Sequence, residues 1–445
     1  MRIPPCIALP KRINYHYVLY HDNCFAATEE LFLPILHRFV IRRVLSVYEY
    51  GRRCLHMKTI LSLILAFGLI FSSAAAENLT GEALVNPVPV PLLCPSAILI
   101  EPESGQIIFE MDADEKRPVA SVTKIMAILL ACEALEEGRA KADDIVTVSK
   151  TAAGMGGSQV LLDVGEVQPF HVLLKSMIVG SANDATVAMG EYLYGSHPLF
   201  VDRMNERAKE LGCTDTHFVN STGLPAEGHY TTARDVARMA RELFRHDAYF
   251  DYSTIWLDSV SHPDGRETTL TNTNRLIRLY DGCDGGKTGS TSEAGYCLCA
   301  TAQRGGMRLI AVVLGALNSS DRFDTASAML DYGFANYRLY PVAQSGAKVK
   351  GEIPVTGGDE DSVPLMLAGD LTLLVKKGGT PDISLNPTLP ESIAAPVETG
   401  QKVGSVEVLF EGKSVASIDV VAAESVSRQG FGDGLAKVVR KWLFQ

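Results

Sequence analysis

Apolar and polar positions alternate with two different periods along this chain. The segment "SAILIEPESGQIIFEMDADEKRP" predicts two short strands around the turn Pro-Glu-Ser-Gly. Arg117 to Leu135, "RPVASVTKIMAILLACEAL", then predicts a helix that is apolar nearly all round. Helical apolar spacing recurs over residues 169–180, 183–194 and 198–211. "TTARDVARMARELFRHD" opens a further helix, with Thr232 as N-cap and Asp235 three residues on in a capping-box relation. After about residue 250 the period shortens. "AGYCLCATAQRGGMRLIAVVLGA" predicts two strands joined at Gly305-Gly306, and "SDRFDTASAMLDYGFANY" returns to helix. A helical cluster inside a strand-and-helix wrap implies an α/β (α+β) domain over residues 92–338. From 342 to 424 short strands separated by Gly, Pro and Asp turns predict a small all-β domain.

The two ends read differently. Residues 77–91, "ENLTGEALVNPVPVP", predict an extended linker. Met57 opens "MKTILSLILAFGLIFSSAAAENL": one lysine, an apolar run from Ile60 to Phe71, then Ala74-Ala75-Ala76. That is the pattern of a secretory signal over 57–76, and the apolar run is short for a membrane span. Residues 1–56 have no helical or strand period, and the expectation is that they are a non-native upstream extension with Met57 as the start. In "GFGDGLAKVVRKWLFQ", Phe431, Leu435, Val438, Val439 and Trp442 share one helical side, with Lys437, Arg440 and Lys441 on its flanks. This predicts an amphipathic helix over 430–445 lying in a membrane interface. Docking of that helix on its own domain is the competing reading.

The net charge of −11 argues against nucleic acid as a partner. No Cys-x-x-Cys pair occurs, so a zinc ribbon or thioredoxin-like site is unsupported. Cys132 falls in the apolar helix as a small core residue, and Cys297 and Cys299 face one side of a strand.

The chemistry starts from a lysine on a buried helix. Ser121 and Lys124 are i, i+3 and share a face. The helix N-terminus favours anionic character on Ser121. A lysine desolvated among apolar neighbours loses its proton near neutral pH and can take the serine proton. The spacing alone is weak, because Ser345 and Lys348 repeat it, and Ser384-Leu385-Asn386 repeats the pattern of Ser181-Ala182-Asn183. Order and context carry the weight. Ser-x-x-Lys opens a helix, Ser-x-Asn lies in a break between two helices, and Lys287-Thr288-Gly289 precedes a strand. The three signatures together are shared by penicillin-binding proteins and class A β-lactamases.

The stretches "PVASVTKIM", "SANDAT", "FVNSTGLPAEGHYTTARDVARMA", "GGKTGSTSEAGYCLCATAQRGGMRLIAVVLG" and "DRFDTASAMLDYGF" resemble the low-molecular-mass penicillin-binding proteins of the D-alanyl-D-alanine carboxypeptidase family, serine peptidase family S11. The resemblance implies a transpeptidase-like fold of helical cluster and antiparallel sheet. It implies an enzyme that removes the terminal D-alanine of peptidoglycan stem peptides through an acyl-enzyme, without metal or cofactor, with β-lactams as covalent inhibitors. Ser121 would be the nucleophile and Lys124 the base. Ser181 would relay a proton to the departing D-alanine. Asn183 would position Lys124 and the substrate amide. The backbone N–H groups of Ser121 and Ser290 would form the oxyanion hole. Lys287, Thr288 and Arg322 would meet the substrate carboxylate, beside Gly289.

Plainer readings stand beside these. Ser121, Ser181 and Asn183 are residue types that cap helices, Lys124 could snorkel, Thr288-Gly289 could be a strand-entry turn, and Arg322 a solvated residue at a helix start. At the level of function the rivals are a class A β-lactamase, a non-catalytic wall-binding protein and an endopeptidase. Against the first, the stretch after Ser181 reads "FVNSTGL" and holds no Glu-x-x-Leu-Asn. The loop Met155 to Glu166 is expected near the cleft, with no role assigned to Ser158.

Overall fold

The structure, a computed structural model, describes residues 83–430 and Gly432. The expected upstream extension, the signal segment and the amphipathic stripe from Phe431 to Trp442 lie outside the described residues.

In chain order the strands of the first domain are β1 (Ser96–Ile100), β2 (Ile107–Met111), the short ribbon β3 (Ile145–Thr147) and β4 (Val167–Pro169), a second ribbon β5 (Leu257–Ser261) and β6 (Glu267–Thr271), then β7 (Cys283–Thr291), β8 (Gly295–Arg304) and β9 (Met307–Ala316). Its helices are α1 (Lys124–Glu136), α2 (Lys150–Ala153), α3 (Phe170–Val179), α4 (Asn183–Tyr194), α5 (His197–Glu210), α6 (Ala233–Leu243), α7 (Asp247–Ser253), α8 (Leu276–Leu279) and α9 (Ser319–Asn336). The main sheet is antiparallel, in the order β2-β1-β9-β8-β7.

Both faces of this sheet are covered, which is why β8 and β9 read as unbroken apolar runs rather than alternating ones. Ile98, Ile100, Cys297, Cys299, Ile310 and Val312 point into the helical cluster. Ala97, Leu99, Leu298, Ala300, Leu309 and Val313 point the other way, onto Phe323, Ala326, Met329 and Leu330 of α9. The β8–β9 turn falls at Gly305 and Gly306, with φ of +55° and +82°. Two consecutive positive φ values are what a two-residue hairpin of right-twisted strands requires.

α1 is buried from Lys124 to Ala134. A helix apolar on every side belongs in the centre of a domain, and α1 packs against α3, α4, α5, α6 and α7. Truncating one of its leucines to alanine removes roughly 2–5 kcal/mol. At α6 the Thr232 hydroxyl accepts from the Asp235 N–H at 3.1 Å, as the sequence predicts. The Asp235 carboxylate does not return the bond. It accepts from Asp215 N and Thr216 Oγ1 and pairs with Arg238.

The segment expected to be a linker is not free where it is described. Leu84 N and Val85 N donate to Ile107 O and Ile108 O of β2, and Val85, Val88, Val90 and Leu92 pack on the outer apolar layer. Alternate valines among prolines make an edge segment whose apolar side chains are better buried than solvated.

The second domain comprises β10 (Tyr337–Ala343), β11 (Lys348–Thr356), β12 (Ser362–Leu367), β13 (Leu371–Lys376), β14 (Ile383–Thr388), β15 (Ile393–Ala394), β16 (Lys402–Phe410) and β17 (Lys413–Ala422). β10 pairs with β13, and the others form a sheet in the order β14-β16-β17-β12-β11-β15. The two decoy patterns fall here, in exposed positions: Ser345 and Lys348 flank the start of β11, and Leu385 and Asn386 lie on β14.

Candidate active site

The site begins where the chain is forced into an unusual turn. Ala120 has φ +48°, a region L-residues other than glycine avoid unless the surroundings hold them there. The single 3-10 turn Ala120–Thr123 then runs into α1. This presents Ser121, half-buried, above the helix N-terminus, and sends Lys124 down among apolar side chains. Lys124 is completely buried. Its Nζ donates to Ser121 Oγ at 3.0 Å and to the Thr222 carbonyl at 2.9 Å. Burial, and after it the positive charge of Lys287, hold the Lys124 ammonium well below its ordinary value, with Asp184 opposing them. A neutral amine in contact with a hydroxyl is the arrangement a general base requires. Among the described residues no carboxylate hydrogen-bonds to Ser121 or Lys124.

Thr222 comes from the stretch "FVNSTGL". Asn220 builds this turn: its Oδ1 accepts from Thr222 N, Thr222 Oγ1 and Gly223 N, and its Nδ2 donates to Leu224 O. Gly223 has φ +81°, and a Cβ there would sit 1.8 Å from the Ala120 carbonyl oxygen. Only glycine lets this turn close on the Ser121 turn and offer a carbonyl to Lys124. His229 supports the same turn. Val219 N donates to its Nδ1 at 3.1 Å, so its Nε2 carries the hydrogen that meets Thr123 Oγ1 at 2.8 Å. Burial pushes this imidazole down to about 4, which keeps it neutral.

Ser181 lies in the break between α3 and α4, and Asn183 opens α4. Ser181 has φ +59° and is 3% exposed, which aims its hydroxyl at β7. Lys287 Nζ donates to Ser181 Oγ at 2.7 Å and to Thr288 O at 3.1 Å. Burial, then the charge of Arg322, lower Lys287 to about 7. Asn183 makes no hydrogen bond to Lys124. Its Nδ2 donates to Gly156 O at 2.6 Å, its N–H to Ser158 O at 2.7 Å, and its buried Oδ1 has no partner. Asn183 therefore fastens the 155–166 loop to the cleft and leaves one acceptor free, while Thr222 takes the role of holding Lys124. Asp184 completes the attachment by accepting from Val160 N and Leu162 N.

β7 is the edge strand beside the Ser121 turn. A Cβ on Gly289 would come 2.4 Å from Val119 O and 2.9 Å from Ser121 N, both backbone atoms that cannot swing aside. The glycine is what lets the strand lie against the nucleophile's turn. Gly289→Ala should lower penicillin acylation by about 100-fold, since a displacement near 1 Å at the reacting centre is enough. It should also cost roughly 1–3 kcal/mol in thermal unfolding; wild-type acylation would show that the contact is not needed. Ser290 is exposed at the end of β7, in register with Tyr296, and Thr288 Oγ1 donates to Thr273 Oγ1 at 2.7 Å. Arg322 is not a solvated residue. It is 8% exposed, and its Nη1 donates to Gly289 O at 3.1 Å and Cys297 O at 3.3 Å. Its buried Nε has no partner. Arg322 braces the β7–β8 backbone and lends its charge to the pocket behind Lys287.

Two buried lysines, two hydroxyls, a free amide oxygen and an edge strand suit acyl transfer better than metal binding. They define a serine acyl-transfer enzyme of the Ser-x-x-Lys class. Residues 87–318 match the family described as D-alanyl-D-alanine carboxypeptidase, and residues 337–428 match the C-terminal domain of penicillin-binding protein 5. The chain is 39% identical over 351 residues to the D-alanyl-D-alanine carboxypeptidase DacF of Bacillus subtilis, covering 78% of this chain and 89% of that one. It is 32% identical over 382 residues to DacA of Escherichia coli K12, covering 83% and 93%. Among solved structures, penicillin-binding protein 5 from Haemophilus influenzae superposes with a TM-score of 0.67 at 29% identity, over 77% of this chain and 99% of that chain. The chain belongs to the D-alanyl-D-alanine carboxypeptidase family of serine peptidases.

Proposed function

We infer that this chain is a serine-type D-Ala-D-Ala carboxypeptidase and a penicillin-binding protein, with Ser121 as its nucleophile. The observation that carries the assignment of roles is the fully buried Lys124 amine 3.0 Å from Ser121 Oγ. Ser121 Oγ attacks the carbonyl carbon of the penultimate D-alanine and gives its proton to Lys124. The oxyanion forms against the backbone N–H groups of Ser121 and Ser290, donors worth about 3–4 kcal/mol each to the transition state. As the C–N bond breaks, Ser181, held by Lys287, relays the proton that Lys124 took up on to the departing D-alanine amine. Lys287 and Thr288 receive the terminal carboxylate along β7, with Arg322 behind them. Asn183 Oδ1 accepts from a substrate amide. Water then hydrolyses the ester. A penicillin follows the same first step, but its leaving group stays tethered.

The lack of a carboxylate on Ser121 or Lys124 among the described residues supports slow hydrolysis of that penicilloyl ester, against the β-lactamase reading. The exported location, the peripheral membrane attachment through residues 430–445 and the peptidoglycan substrate form one picture: an enzyme held at the outer face of the cytoplasmic membrane beside its polymer. A chain lacking residues 431–445 should fractionate as soluble protein. It should release D-alanine from a diacyl-D-Ala-D-Ala peptide at the full chain's rate. Membrane retention of the truncated chain would remove the anchor. Failure to release D-alanine, or fast nitrocefin turnover, would remove the carboxypeptidase assignment.

A further inference from the structure

We propose that Glu133, Glu242 and His246 form a binding site for one divalent ion of the zinc class, apart from the acyl-transfer cleft. The site lies where three helices end. Glu133 is in the last turn of α1, which carries no basic residue there, and Glu242 is in the last turn of α6. α5 ends at Glu210. Carboxylates at the carbonyl ends of helices face the negative pole of the helix dipole, the reverse of the stabilising arrangement. The depression between these ends is lined by five glutamates and only two arginines. Arg139 and Arg245 reach Glu137 and Glu242 from its rim.

The second observation is the state of His246, in the turn between α6 and α7. It is 8% exposed, and neither ring nitrogen makes a hydrogen bond. Nδ1 lies 2.8 Å from Glu136 Oε1 without hydrogen-bonding geometry, and Nε2 makes no hydrogen bond. A buried imidazole with nothing on Nε2 forfeits its hydration with no compensation. A metal ion on a ring nitrogen would supply the partner that the buried imidazole lacks.

One donor atom from each of Glu133, Glu242 and His246 falls within 4.8 Å of the other two. Metal–ligand distances of about 2 Å place tetrahedral donors roughly 3.3 Å apart. Small changes in the two glutamate rotamers close that difference. Arg207 does not block the ion. Its Nε and Nη2 engage Oε1 of Glu133 at 2.8 and 2.7 Å, and Nη2 reaches Oε1 of Glu242 at 3.1 Å. That leaves Oε2 of Glu133, and beyond a 3.4 Å contact with Arg245 that of Glu242. One imidazole with two carboxylates favours zinc over calcium or magnesium, which select all-oxygen shells. Glu133 lies nine residues beyond Lys124, about 14 Å along α1. The ion would fasten the far end of the catalytic helix to α6 and would take no part in the reaction.

The test uses the untagged full chain, stripped with EDTA and titrated with zinc chloride and, separately, magnesium chloride. Calorimetry should show one zinc per chain, and zinc at hundredfold excess over its Kd should raise Tm by roughly 2–5 °C, with no response to magnesium. His246→Gln and Glu242→Gln should each weaken zinc binding at least tenfold while Ser121 is acylated by penicillin at the wild-type rate. The absence of saturable zinc binding to the wild-type chain at 100 μM, roughly the ceiling for a specific site, overturns the proposal. So does unchanged zinc affinity in Glu242→Gln, which decides the matter even if the histidine variant does not fold.

Discussion

Ser121→Ala is expected to abolish covalent labelling by a fluorescent penicillin and to reduce D-alanine release by at least about 10⁴-fold, the scale on which loss of a nucleophile is felt. Both losses should appear together, because one oxygen performs both reactions. The fold should survive. Ser121 is half-buried, its hydroxyl has a single partner in Lys124, and Lys124 keeps the Thr222 carbonyl. A change within about 1 kcal/mol in unfolding is therefore expected. Ser181 is the other serine paired with a buried lysine, with Lys287 Nζ 2.7 Å away. Persistent labelling of Ser121→Ala would move the nucleophile there and reverse the assignment of the two serines. Loss of labelling with a normal unfolding transition would leave no other candidate.

The parts of this site that could be read from the chain are those whose signal is local. Ser121 and Lys124 are three residues apart on one helix, so their contact follows from helical geometry. The helix bounds predicted at 169–180, 183–194 and 198–211 fall within a residue or so of Phe170–Val179, Asn183–Tyr194 and His197–Glu210. The apolar period carries these bounds, and in the structure Gly195, with φ +81°, ends one helix while the Ser196 side chain accepts from Leu199 N at the start of the next. What escaped is non-local. In sequence "FVNSTGL" carries part of the family resemblance and lacks the lactamase glutamate, and says nothing of Lys124. In the fold it supplies the carbonyl that holds Lys124, 98 positions away. The clue available was an Asn three residues before a Gly, a tight-turn signature, but nothing local says which carbonyl such a turn presents or to whom. Gly289 likewise reads as the end of a motif, and its reason is a backbone contact with Val119, a different segment altogether. The family resemblance gives Asn183 to Lys124 and the substrate amide, whereas its Nδ2 donates to Gly156 O.

Two buried lysines in one cleft is an unstable arrangement that only function explains. Each is desolvated, and the charge of Lys287 acts on Lys124 while that of Arg322 acts on Lys287. The positive charges run in series from α9 through β7 to the base. The series has a chemical consequence. Lys287 lies on the strand itself, and whenever it carries its charge that charge helps strip the proton from Lys124. The hydrogen-bond partners divide in the same way: Lys287 meets Ser181 and a strand carbonyl, and Lys124 meets Ser121 and a turn carbonyl.

Lys124→Met should separate the cost of this arrangement from its use. Methionine matches the length and volume of the lysine stem, so the pocket stays filled, and one carbonyl, that of Thr222, loses its donor at a cost of about 1 kcal/mol. Against that stands the gain from removing a lysine whose pKa falls on folding. The unfolded chain binds the Lys124 proton up to about pH 10.4, and the folded chain has released it well below that. Between those limits the unfolded state holds more protons, so stability rises with pH and is penalised at neutral pH. The Met variant should therefore unfold at a temperature no lower than the wild type at pH 7. Its acylation by penicillin should fall by about 10³-fold, within the range for loss of a general base. In the wild type the acylation rate should climb with pH along a limb centred well below pH 10.5, as Lys124 becomes neutral. The residual rate of the Met variant should show no such limb. Acylation of Lys124→Met within tenfold of the wild type, or a limb that survives the substitution, would take the proton-accepting role away from Lys124.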